Sequence, residues 1–128
     1  MPVAAAPRVR SAYCRKERQR PMLADQAVQS VPAIVTLPAE IDLTNQEGVY
    51  DRLDAAFASG APVVIADFTA TTFCDCSSLR GLLAVQERAA SRNAQLWLAI
   101  PPGTTARRVA ELIGLDRRLP VYPNLSEV

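Results

Sequence analysis

Val63-Val64-Ile65-Ala66-Asp67-Phe68 and, shortly after it, Cys74-Asp75-Cys76-Ser77-Ser78-Leu79-Arg80 decide the fold of this chain. The first is a nearly continuous apolar run rich in β-branched residues, the pattern of a central strand covered on both faces. The second opens a segment with Leu79, Leu82, Leu83, Ala89 and Ala90 along one side. Arg80, Gln86, Glu87, Arg88 and Arg92 lie on the other, which predicts an amphipathic helix ending near Asn93. A strand that runs out into a helix start is where open α/β sheets meet ligands and partners, because the first helical N–H groups there have no partner within the helix. Function is therefore sought at Cys74–Arg80.

Upstream, Ala33-Ile34-Val35-Thr36-Leu37 sits between Pro32 and Pro38, and Ile41 and Leu43 continue in alternation, so strand is predicted there. Thr44-Asn45-Gln46-Glu47 reads as a capped helix start. Val49, Leu53, Ala56 and Phe57 follow at helical spacing until Gly60-Ala61-Pro62. Downstream, Gln95-Leu96-Trp97-Leu98-Ala99-Ile100 is a strand halted by Pro101-Pro102-Gly103. Thr104 or Thr105 then caps a helix carrying Val109, Leu112 and Ile113, and Gly114-Leu115 suits a left-handed cap with an apolar clasp. Pro120-Val121-Tyr122 is a short last strand, and Leu125-Ser126-Glu127 has the look of another helix start. The alternation of strand and helix predicts a single α/β domain over residues 29–128.

The first thirty residues differ in kind. Arg8, Arg10, Arg15, Lys16, Arg18 and Arg20 face only Glu17 and Asp25 in charge, while the whole chain of 128 residues carries a net charge of +1. With Pro2, Pro7 and Pro21 and no apolar periodicity, residues 1–28 are expected to form a disordered basic arm. Met22 offers an alternative translation start. An arm without interleaved aromatic residues beyond Tyr13 gives no stacking platform for nucleic acid, so no direct nucleic-acid contact is expected. No apolar run approaches the roughly 20 residues of a membrane span, and three cysteines make no disulfide framework; a cytoplasmic protein with reduced thiols is expected.

The chain contains no histidine, which removes the commonest general base and metal ligand. Within the turn, Asp75 reads as an N-cap, and Cys76 as the first helical residue, either a packed thiol or one activated by the helix terminus. Cys74-x5-Arg80 matches the spacing of the phosphate loop of cysteine phosphatases, where a thiolate attacks phosphorus and an Arg grips its oxygens. That alternative lacks a Gly inside the loop and sets Asp75 against the phosphate. Cys74 and Cys76 leave only Cys14 to complete a zinc site, so no metal or cofactor is expected.

Three segments together resemble the STAS domain family, of the anti-sigma factor antagonist type. These are Leu37-Pro38-Ala39-Glu40-Ile41-Asp42-Leu43, Val63 to Phe68 with Phe73-Cys74-Asp75-Cys76-Ser77-Ser78-Leu79, and Arg107-Arg108-Val109 with Leu112-Ile113-Gly114-Leu115. The resemblance implies a mixed central sheet of about four to five strands with three helices, the fourth being short or missing after Glu127. It further implies a non-enzymatic module that docks on an anti-sigma factor with a kinase-type ATP-binding fold and so frees a sigma factor. Self-association through surface left uncovered is a further expectation. The docking and regulatory residues it implies are Asp42, Asp75, Cys76, Ser77, Ser78 and Arg80. In such proteins the kinase phosphorylates the Ser directly after the turn's Asp, and here Cys76 stands in that place. Ser77 is then the candidate phospho-acceptor, beside docking without phosphorylation and a thiol response of Cys76.

Overall fold

A computed structural model describes residues 31–128; the basic arm expected over residues 1–28 and the start at Met22 lie outside the described residues. Strands β1 (Ala33–Thr36), β3 (Val63–Asp67), β5 (Gln95–Ala99) and β6 (Val121–Tyr122) form one sheet in the order β1-β3-β5-β6. Every neighbouring pair runs parallel, with Ile34 opposite Ile65, Ile65 opposite Trp97, and Leu98 opposite Val121. Two short strands, β2 (Glu40–Ile41) and β4 (Phe73–Cys74), pair with each other, also in parallel, beyond the strand ends. An antiparallel member of a mixed sheet does not occur among the described residues.

Helices α1 (Gln46–Ala58), α2 (Cys76–Ala90) and α3 (Thr105–Leu112) complete the domain. All five residues of β3 are buried. Its period of two divides them: Val64 and Ala66 join Leu53, Phe57, Leu79, Leu82, Leu96 and Leu98 in the main core, while Val63 and Ile65 join Trp97 on the opposite face. A strand apolar at every position up to Asp67 thus serves two layers.

The helices differ from the sequence reading in ways set by the neighbours. Val85, not Ala90, completes the buried stripe of α2. Gln86 does not face only water, because its side-chain oxygen accepts the Leu96 N–H at 2.8 Å. On α3 the buried residues are Ala106 and Ala110, and Leu112 is 78% exposed; small residues face the core because α3 lies close to it. Thr104 provides the cap of α3, accepting from Arg107 N at 3.2 Å. Gly114 takes φ +76°, the left-handed turn that only Gly adopts cheaply, and Leu115 beyond it is buried. Leu125–Glu127 is a single 3₁₀ turn. Among the described residues no helix is long and apolar enough to cross a membrane.

Candidate functional site at the β4–α2 turn

The Cys74–Arg80 segment is held from both sides. Cys74 pairs with Ile41 across β2–β4, and Asp75 N–H donates to Ile41 O at 3.1 Å. Thr71, buried, donates its hydroxyl to Pro38 O at 2.8 Å, and Thr72 N–H donates to Ala39 O at 2.8 Å. The turn is therefore fastened to the segment that follows β1, which brings Asp42 beside Asp75.

Asp75 is the N-cap of α2, as its sequence position suggests: its Oδ1 accepts from Ser78 N at 2.8 Å and from Ser77 Oγ at 3.2 Å. Hydrogen bonding from Ser78, and then from Ser77, holds its carboxyl below the usual 3.8 against a smaller opposing effect of burial. Asp42 is lowered too, chiefly by the Thr44 hydroxyl and N–H, while the nearby Asp75 charge pushes the other way. Two ionised carboxylates share this rim.

The expected Thr44 cap of α1 is a different construction. Asn45 is the N-cap residue, but its side chain turns back, accepting from Asp42 N at 2.9 Å and donating to Glu40 O at 2.7 Å, so it braces the loop. Leu43 leaves the strand and is 71% exposed, and Phe73 is 44% exposed. These apolar side chains flank the acidic rim.

Ser77 is exposed, Cys76 and Asp75 are half-buried, and Arg80 is exposed. Ser78, although in the exposed first turn of α2, does not face water. It is 2% exposed, and its Oγ donates to Gln46 Oε1 at 2.8 Å. Gln46, the first residue of α1, is the participant that sequence reading missed, since no periodicity or spacing marks it. Its oxygen also lies 3.5 Å from Ser77 Oγ.

The Cys74-x5-Arg80 segment forms no phosphate cradle. Cys74 sits in a strand, α2 begins at Cys76, and the Cys74 thiol is 1% exposed and pushed up to about 12, first by burial and then by the Asp75 charge. It is a neutral packed side chain near neutral pH. Among the described residues no His, Cys, Asp and Glu come together as a metal-holding group.

The model of the family described as the STAS domain matches residues 24–128. The chain belongs to the STAS domain family. Solved STAS-like structures repeat the architecture. An anti-sigma factor antagonist from Mycobacterium paratuberculosis is similar with TM-score 0.66 and 26% identity, over 74% of this chain and 80% of that one. A putative anti-sigma factor antagonist from Thermotoga maritima gives 0.62 and 20%, over 73% and 82%. A sulfate transporter family protein from Wolinella succinogenes gives 0.58 and 18%, over 75% and 80%, so the STAS fold is shared by proteins of different description. No curated protein matches the sequence.

The cap gives this STAS domain a predictable acid limb. A carboxyl held below its ordinary value binds fewer protons in the folded state than in the unfolded chain. Its contribution is therefore complete above about 3.8 and is lost as pH falls through the lower folded value. Asp75→Ala is expected to cost about 1 kcal/mol in denaturant unfolding at neutral pH. Asp75→Asn keeps an acceptor oxygen, so it should stay near the parent at neutral pH and show a shallower loss below 3.8, with Asp42 supplying the remaining slope. An equally steep acid limb in Asp75→Asn would show that the carboxylate is not held ionised by its cap.

Proposed function

We propose that this STAS domain is a regulatory docking module of the anti-sigma factor antagonist type, whose docking face is the β2–β4 rim and the first turn of α2. The observation that carries the reading is the turn itself, in which two neighbouring carboxylates, Asp42 and Asp75, the latter accepting from Ser77, are accompanied on the adjoining segments by exposed Leu43, Phe73 and Arg80. Acids with an adjoining apolar contact suit a protein partner better than a small substrate. The partner is an anti-sigma factor with a kinase-type ATP-binding fold, and docking frees a sigma factor in the cytoplasm. Ser78 supports the fold from within, so the contacting set reduces to Asp42, Asp75, Cys76, Ser77 and Arg80. With Cys76 at the usual acceptor place, docking proceeds without phosphorylation of that residue. Ser77, whose hydroxyl is the exposed one within this turn, is the second choice for a switch, and oxidation of Cys76 the third.

Titration of the purified domain into a purified anti-sigma factor from the same organism tests this reading. A stoichiometric complex without turnover is expected, and Ser77→Glu should weaken it at least about tenfold by adding a charge beside Asp75. Hydrolysis of an aryl phosphate that disappears in Cys74→Ser would overturn it in favour of a thiol-based phosphatase.

A further inference from the structure

Ser77 and Ser78 each bring one hydroxyl proton to the start of α2, where two acceptors stand beside them. Asp75 Oδ1 accepts from Ser77 Oγ at 3.2 Å and from the Ser78 N–H at 2.8 Å. Gln46 Oε1, on α1, accepts from Ser78 Oγ at 2.8 Å and lies 3.5 Å from Ser77 Oγ. The Ser78 side chain also acts on Asp75, where it is the largest influence lowering the carboxyl. Ser78 is 2% exposed, so water does not take its proton. A neutral amide and a carboxylate thus compete for one buried hydroxyl.

We infer that Gln46 is a positioning residue of this turn: by holding the Ser78 hydroxyl it keeps the Asp75 carboxylate from being tied up by the protein's own serine, and so leaves that charge for a partner. The inference rests on the docking role proposed for the turn. With the amide oxygen removed, the Ser78 proton turns to Asp75, which gains a charge-assisted bond; such a bond favours the ionised form and leaves its oxygens less free for a partner's cation. With a carboxylate in place of the amide, Ser78 keeps its acceptor, and a new negative charge opposes the ionised Asp75. The two changes therefore push Asp75 in opposite directions, which a mere loss of packing would not do. Both suit the place, because residue 46 is the first of α1: Glu there complements the helix dipole, and Met keeps the unbranched shape. The ionisable groups on the elements packed against Asp75 are Asp42 after β2, Cys74 in β4, Glu47 and Tyr50 on α1, and Arg80 further along α2. They are common to parent and variants, so a difference between them reports on residue 46.

The carboxyl carbon signal of Asp75, followed by NMR through an acid titration of the full chain, tests this without a partner. Gln46→Met is expected to lower its midpoint by at least about 0.3 pH units and Gln46→Glu to raise it by at least about 0.5, the effects of one hydrogen bond and of one solvent-screened charge. A midpoint unmoved in either variant, or displaced the same way in both, overturns the inference. Against a purified anti-sigma factor from the same organism, Gln46→Met should bind at least about threefold more weakly than the parent near neutral pH. An affinity equal to that of a parent that binds would overturn the effect on the partner. A parent that does not bind removes the docking role instead, and the titration still decides what Gln46 does to Asp75.

Discussion

Gly81→Ala is expected to destabilise the domain by about 1–3 kcal/mol, although the same change in an exposed helix stabilises by close to 1 kcal/mol. The reversal comes from Tyr50. Its ring crosses from α1 onto α2, where a Cβ on Gly81 would overlap the Tyr50 hydroxyl oxygen and Cζ and crowd Cε2 at 3.0 Å. The ring cannot simply swing away, because Tyr50 is buried and its hydroxyl donates to Ser78 O at 2.8 Å. Burial, with smaller contributions from Cys74 and the nearby acids, pushes the phenol up to about 12, so it remains a donor throughout the ordinary pH range. Thermal melts should show Gly81→Ala lower by roughly 4–8 °C per kcal/mol lost. Tyr50→Phe added to it brings no relief, since Cζ stays in place; Tyr50→Leu does, and the double variant should lose less than the two singles together. A Gly81→Ala protein as stable as the parent would mean that α1 and α2 sit further apart at this point.

The consequence reaches the proposed docking face. Ser78, whose carbonyl takes the Tyr50 hydroxyl, is also the residue whose N–H is capped by Asp75 and whose own hydroxyl binds Gln46. Helix α1 thus grips the first turn of α2 through Tyr50 and Gln46, and the orientation of Asp75, Cys76 and Ser77 follows from that grip. Gly81→Ala should therefore weaken partner binding as well as stability. Ala84→Gly, at an exposed position of the same helix, is the control: it lowers stability by about 1 kcal/mol through helix propensity and leaves the grip alone.

This grip explains which parts of the molecule could be read in the residues. Strand β3, helix α2 and the Asp75 cap were legible because their signals are local: an unbroken apolar run, a helical stripe, an acid immediately before the first turn. The Gly114-Leu115 clasp was legible for the same reason. Leu112 was not, because helical spacing cannot tell that α3 approaches the core through Ala106 and Ala110, whose small side chains carry little hydrophobic signal. Ser78 and Gln46 were not legible either. Their partnership joins residues far apart in sequence, and a serine in a first helical turn looks solvent-facing until a neighbouring helix is placed over it. At the β4–α2 turn the sequence nominated candidate residues, but only the packing separated Ser77, which faces outward, from Ser78, which does not.

That separation sharpens the second large effect, a gain of phosphate in Cys76→Ser. In complex with an ATP-binding anti-sigma partner, the parent chain is expected to keep its intact mass when ATP is added, and Cys76→Ser to gain one phosphate. Residue 76 is half-buried at the helix start, next to a carboxylate held ionised by its hydrogen bonds. A hydroxyl there is the substrate that the STAS resemblance calls for; a thiol is a different nucleophile with a longer bond and a softer atom. Once attached, a phosphate carrying about −1.5 to −2 charges would stand beside Asp75 and near Asp42, and repulsion within that rim should release the partner. Peptide mapping decides between the accounts. Phosphate on the introduced serine of the Cys76→Ser variant alone makes the cysteine an escape from the switch. Phosphate on Ser77 of the parent makes the switch one that has moved by a residue, with Ser77→Ala abolishing it. Phosphate mapped elsewhere in both proteins would remove the turn from regulation altogether and leave it a surface for docking only.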